Sequence, residues 1–100
     1  MNREAYVYIL AGNKPHDGRP PIYVGSTTDL VERVAQHRDG RGARHTARYR
    51  IKRLVWYEVH ESIDSAQARE RRIKRWERAW KDELIAEFNP EWRDLYLELA

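Results

Sequence analysis

Two phenols one residue apart, Tyr6 and Tyr8, stand on the apolar stretch Tyr6-Val7-Tyr8-Ile9-Leu10, and a third follows in Ile22-Tyr23-Val24. On an alternating strand Tyr6 and Tyr8 project to one face, and a pairing strand brings Tyr23 beside one of them. Close phenols can position a water and relay a proton, although tyrosines are also ordinary strand residues with a wet tip. Arg33 and His37 are spaced i, i+4, so both lie on one helix face a turn apart. A planar guanidinium matches phosphate oxygens, and an imidazole exchanges a proton near neutral pH. Glu70 falls on a helical apolar stripe of Ala66, Ile73, Trp76 or Trp80, and Leu84. A carboxylate on a core-facing position costs free energy unless it is ion-paired or holds a cation. An arginine would satisfy it, and so would Mg²⁺, which takes one or two carboxylates. Glu77 lies on nearly the same face, so spacing does not choose between the two glutamates.

The elements that must position these groups follow from pattern. Tyr6–Leu10 and Ile22–Val24 read as strands of a hairpin whose connection holds Gly, Asn, Pro and Asp. Ser26-Thr27-Thr28-Asp29 offers N-caps for a helix carrying Leu30, Val34 and His37 and ending near Gly40. Gly42 to Tyr49 reads as a polar loop, and Leu54–Val59 as a third strand. Asp64 or Ser65 can cap a long helix from about Ala66 to Trp80, with a further turn or two over Asp82–Phe88. Asn89-Pro90 breaks it, because the residue before proline disfavours helix. Glu91–Leu99 reads as a terminal helix. The expected fold class is α+β, with a three-stranded antiparallel sheet flanked by helices in the order β-β-α-β-α-α, as a single domain over residues 1–100.

The chain of 100 residues has no cysteine, which excludes disulfides and thiolate zinc sites. No stretch resembles a signal peptide or spans a bilayer, so the expectation is a cytoplasmic protein with no membrane partner. The net charge is only +3, but the charge is clustered. Arg41, Arg44, Arg48, Arg50, Lys52 and Arg53 occur together without an acid between them, and Arg69, Arg71, Arg72, Lys74, Arg75 and Arg78 form a second cluster. Such clusters attract a polyanion, or are simply solvated faces. Arg41, Arg44, His45, Thr46, Arg48 and Lys74 are the candidate nucleic-acid contacts. There is no phosphate-binding glycine loop, no His-Glu-x-x-His and no serine nucleophile elbow. His16 and His60 are scattered, and the four tryptophans sit at core spacings.

In order, these features resemble the GIY-YIG nuclease family over essentially the whole chain. Tyr6-Val7-Tyr8 and Tyr23-Val24-Gly25 stand where the family has its two signature tripeptides. Arg33 and His37 follow at the family spacing, and Ala68-Arg69-Glu70-Arg71-Arg72-Ile73-Lys74 resembles the segment that holds its metal-binding glutamate. The closing Asn89–Leu95 is similar to the tail of small stand-alone bacterial members. Tyr6 replaces the first tripeptide's glycine, and the Ala11–Pro21 connection is longer than usual.

The resemblance implies a divalent-metal-dependent endonuclease hydrolysing DNA phosphodiesters, in repair or processing. DNA rather than RNA is the expected partner. It implies Glu70 as the ligand of Mg²⁺ or Mn²⁺ and as a member of the catalytic set Tyr8, Tyr23, Arg33, His37 and Glu70. Arg33 would neutralise charge on the phosphoryl oxygens, and Tyr8 would help deprotonate water if cationic charge lowered its pKa. Tyr23 would be oriented in the same network, with the reverse division of labour open, and His37 would relay a proton or orient Tyr8. The alternative is a nucleic-acid-binding module of the same fold without turnover.

Overall fold

A computed structural model describes residues 4–13, 19–48 and 50–99. His16, Tyr49 and the middle of the long connection lie outside the described residues. Strands β1 (Ala5–Gly12), β2 (Ile22–Thr27) and β3 (Ile51–His60) form an antiparallel sheet in the order β2-β1-β3. The most apolar strand, β1, is central, and β2 is an edge. The expected α+β class and three-stranded antiparallel sheet are therefore observed.

Alternation along β1 divides the interior in two. Ala5, Val7, Ile9 and Ala11 pack with Val24, Val55, Ala66, Ile73 and Ile85, beneath helices α3 (Ile63–Lys74) and α4 (Arg78–Phe88). Tyr8 and Leu10 pack on the other face with Leu30, Val34, Ile51, Leu54 and Leu95, beneath α1 (Leu30–Arg38). Of the N-cap candidates before α1, Asp29 is used, and its carboxylate accepts from the Glu32 N–H at 3.1 Å.

Four local expectations are corrected. The loop from Gly42 to Tyr49 contains a short helix, α2 (Arg44–Arg48). The long helix is interrupted: Arg75 closes α3, and Glu77 takes an extended conformation before α4. No glycine or proline marks this break. It lets Trp76 pack on the core, with the Arg69 guanidinium 5.3 Å from its ring centroid. The cap of α3 is Ser62, whose Oγ accepts from the Ser65 N–H, rather than Asp64 or Ser65. Finally, the terminal helix shrinks to α5 (Tyr96–Leu99). Residues 93–95 instead lie along β3, where Leu95 N–H donates to the Leu54 carbonyl at 2.7 Å and Asp94 accepts from the Leu54 N–H.

Candidate active site

The register explains why phenols meet here. Tyr8 on β1 lies opposite Gly25 on β2, and Leu10 lies opposite Tyr23, so both tyrosines point to the α1 face. Their ring centroids are 6.3 Å apart. Gly25 serves as a space: a Cβ there would fall 2.5 Å from the Tyr8 hydroxyl and 3.0 Å from the Tyr23 ring.

One turn of α1 supplies Arg33 and His37. The imidazole is buried, with its centroid 5.3 Å from the Tyr23 ring, and its Nε2 lies 3.2 Å from the Tyr8 hydroxyl. Its Nδ1 lies 2.9 Å from the Thr46 hydroxyl, which donates to the Ala43 carbonyl at 2.7 Å. The backbone of Gly42 packs on the same ring edge, so that a Cβ there would sit 2.1 Å from Nδ1. Tyr23, Arg33, Gln36, His37, Arg41, Gly42 and Ala43 enclose a cleft of about 300 Å³.

Glu70 comes from α3, on the other side of the sheet, and reaches the site at the β2 edge. Its Oε1 accepts from the Ser26 hydroxyl at 2.5 Å, and its Oε2 pairs with Lys74 Nζ at 2.5 Å. Lys74 Nζ lies 5.9 Å from the centre of the Tyr23 ring, which ties the carboxylate to the phenol side of the cleft. The Glu70 partner is thus lysine rather than arginine. Glu77 is exposed at the start of α4, outside this group.

Electrostatics separate the two proton-bearing groups. Burial pushes the Tyr8 phenol well above the ordinary value of 10.0, aided by Tyr23 and Glu70, while Arg33 pulls it down through charge and hydrogen bonding. The expected depression by cationic charge is therefore outweighed by desolvation. Burial lowers His37 below its ordinary 6.5, and the Arg33 charge lowers it further. A neutral imidazole beside a protonated phenol is the favoured resting state.

The family resemblance grouped Tyr8, Tyr23, Arg33, His37 and Glu70 in one set, and the fold brings them to one edge of the sheet. Sequence reasoning missed Ser26, read only as a possible cap; its position directly after Gly25 turns it to the opposite sheet face, toward α3. Thr46 is corrected: its side chain is fully buried and bonded to His37 and Ala43, so it cannot touch a nucleic acid. Arg41 is exposed and lines the cleft, Arg44 and Arg48 are exposed on α2, and the His45 side chain lies outside the described set. Arg53, from the basic run, turns inward and donates to the Trp92 and Gly12 carbonyls at 2.7 and 2.8 Å.

Fold and site together define a class: a small α+β domain whose phenol pair, arginine–histidine helix face and helix-borne carboxylate meet at a sheet edge. The profile of the GIY-YIG catalytic domain matches residues 4–83, and the chain belongs to this family of nuclease domains. It is similar to a UPF0213 protein of Streptococcus pneumoniae serotype 4, with 36% identity over 87% of this chain and 83% of that protein. A UPF0213 protein of Natronomonas pharaonis is 36% identical over 87% of this chain and 96% of its own length. A UPF0213 protein of Haloquadratum walsbyi is 34% identical, covering 87% and 92%. No solved structure matches. Among the described residues, no helix is long and apolar enough to cross a membrane.

Proposed function

We propose that this chain is a divalent-metal-dependent endonuclease that hydrolyses DNA phosphodiesters in repair or processing. The observation that carries the reading is the convergence of Glu70, Tyr8, Tyr23, Arg33 and His37 from two strands and two helices spread along the sequence. Ser26 and Lys74 satisfy this carboxylate structurally, so what favours turnover over a binding module is its position on the phenol side of the cleft rather than its burial.

The donor set suits Mg²⁺ or Mn²⁺. Among the described residues no group of three His, Cys, Asp or Glu could chelate an ion. A single carboxylate, with phosphate oxygens and water completing the shell, is the way hard cations are commonly held beside phosphates. Lys74 Nζ occupies Glu70 Oε2, the oxygen that would hold the cation, so the ion would take the place of the ammonium there. The bound ion would polarise the phosphate and stabilise the leaving oxygen.

The chain's own groups account for the remaining chemistry. Arg33 faces charge growing on the phosphoryl oxygens from the cleft wall. A water oxygen attacks phosphorus and the ester P–O bond breaks. The water proton passes to the Tyr8 oxygen while the Tyr8 proton passes to His37 Nε2, and the leaving oxygen takes a proton from solvent. In this relay Tyr8 need not exist as a phenolate, which reconciles its raised pKa with a base role. Arg41 on the cleft wall, Lys74 beside the Tyr23 ring and the exposed Arg44 are the cations a DNA backbone would meet.

The test is cleavage of labelled single-stranded, duplex, flap and RNA substrates with and without Mn²⁺. Metal-dependent scission of DNA, lost in Glu70→Ala with DNA binding retained, supports the proposal. Salt-dependent binding without scission supports the binding module instead.

A further inference from the structure

Thr46 is buried nine residues beyond His37 and belongs to no motif. Its environment nevertheless fixes a proton. The hydroxyl has one hydrogen, which is donated to the Ala43 carbonyl at 2.7 Å, and a carbonyl can only accept. Toward His37 Nδ1, at 2.9 Å, the Thr46 oxygen therefore offers only a lone pair. Nδ1 must carry the hydrogen. In neutral imidazole the other nitrogen, Nε2, is then an acceptor, and the Tyr8 hydroxyl 3.2 Å away must be the donor.

We infer that Thr46 is a positioning residue that locks His37 in the Nδ1–H tautomer and so sets the direction of proton flow from Tyr8 to His37. The inference rests on the nuclease reading for its catalytic consequence, but not for the tautomer itself. With the opposite tautomer, Nε2–H would donate to the phenol oxygen, and His37 could not accept the Tyr8 proton. Burial and the Arg33 charge, which both favour neutral imidazole, make tautomer choice the relevant variable. The Gly42 backbone against the Nδ1 edge holds the ring in place, while the Ala43 carbonyl orients the hydroxyl. The segment from Gly42 to Thr46 thus acts as a cradle for one imidazole.

A merely structural threonine would fill space and satisfy Nδ1 without determining what Tyr8 does. Thr46→Val keeps the shape and deletes the hydroxyl, and Thr46→Ser keeps the hydroxyl. Nitrogen-15 spectra of His37 in metal-free, DNA-free protein read the tautomer directly. The expected result is protonated Nδ1 and unprotonated Nε2 in the wild type and in Thr46→Ser, with substantial Nε2–H in Thr46→Val. The kcat should fall about tenfold in Thr46→Val, the scale of one lost hydrogen bond, and recover in Thr46→Ser, with KM little changed. Wild-type protein carrying its hydrogen on Nε2 overturns the inference, even if Thr46→Val fails to fold. So does a folded Thr46→Val with the wild-type tautomer and kcat. A Thr46-dependent tautomer in a protein that cuts no nucleic acid leaves the lock standing and overturns the nuclease reading alone.

Discussion

Gly25→Ala is the substitution whose effect can be worked furthest from geometry. Gly25 is not required for its backbone, since Gly40 is the glycine with positive φ among the described residues. It is required because the added Cβ would lie 2.5 Å from the Tyr8 hydroxyl oxygen and 2.6 Å from Cζ, where ordinary contact begins at 3.4 Å. Something must therefore move by about 0.9 Å, the difference between 3.4 and 2.5 Å. Tyr8 is fully buried, so its ring cannot swing out to solvent. Its 3.2 Å bond to His37 breaks unless the imidazole follows, and Gly42 and Thr46 already crowd that ring. Overpacking of this kind costs about 1–3 kcal/mol. A misplacement near 1 Å at a reacting group costs on the order of a hundredfold in rate. Denaturant unfolding and Mn²⁺-dependent cleavage check both figures. Gly40→Ala is the control: nothing lies within 4 Å of its added Cβ, and its φ of 79° makes the cost one of backbone strain, about 1–2 kcal/mol, with activity retained. Gly25→Ala protein with undiminished stability and cleavage would refute the reasoning that Gly25 makes room for the phenol.

Glu70→Gln keeps a side-chain oxygen for Ser26 but loses the charge, and should lower cleavage more than about a hundredfold while leaving DNA affinity within a fewfold, measured by gel shift. Arg33→Met should raise the His37 pKa toward 6.5, because the guanidinium charge now helps burial to lower it; proton NMR titration reads the shift. The same depressed value gives stability a definite pH dependence. As pH falls below 6.5 the unfolded chain takes up the His37 proton first, so stability is full above that pH and declines as pH falls through the native His37 value. Thermal unfolding across this range, compared with His37→Asn, checks the sign. Asn89→Leu should cost about 1–3 kcal/mol in denaturant unfolding, because Asn89 is buried and its amide donates to the Val55 and Arg93 carbonyls while accepting from the Arg93 N–H.

The strands were legible because β1 is apolar and aromatic; alternation put Tyr6 and Tyr8 on one face, and the register then set Tyr8 on the face that Tyr23 and His37 share. The i, i+4 pair on α1 was legible for the same reason of period. Glu70 was visible as a carboxylate on an apolar stripe, yet only the resemblance separated it from Glu77. What pattern could not reveal depends on contacts between distant segments. The turn of α2 is a short run with no apolar periodicity, and it buries Thr46 because His37 offers a partner there. The break between α3 and α4 carries no glycine or proline and follows from the docking of Trp76. Arg53 looked like surface charge, although backbone carbonyls from two distant segments enclose its guanidinium.

The central claim is that a phosphate and a divalent cation meet at the Glu70 edge of the Tyr8–His37 pair. Its most direct test is Mn²⁺ anomalous diffraction from crystals grown with a short DNA duplex. The account predicts one Mn²⁺ peak on the Glu70 carboxylate, with Lys74 displaced from Oε2 and a phosphate in the cleft against Arg33 and Tyr23. A Mn²⁺ peak elsewhere, such as at Glu83 and Glu87 on α4, with the DNA backbone away from Tyr8, would contradict it.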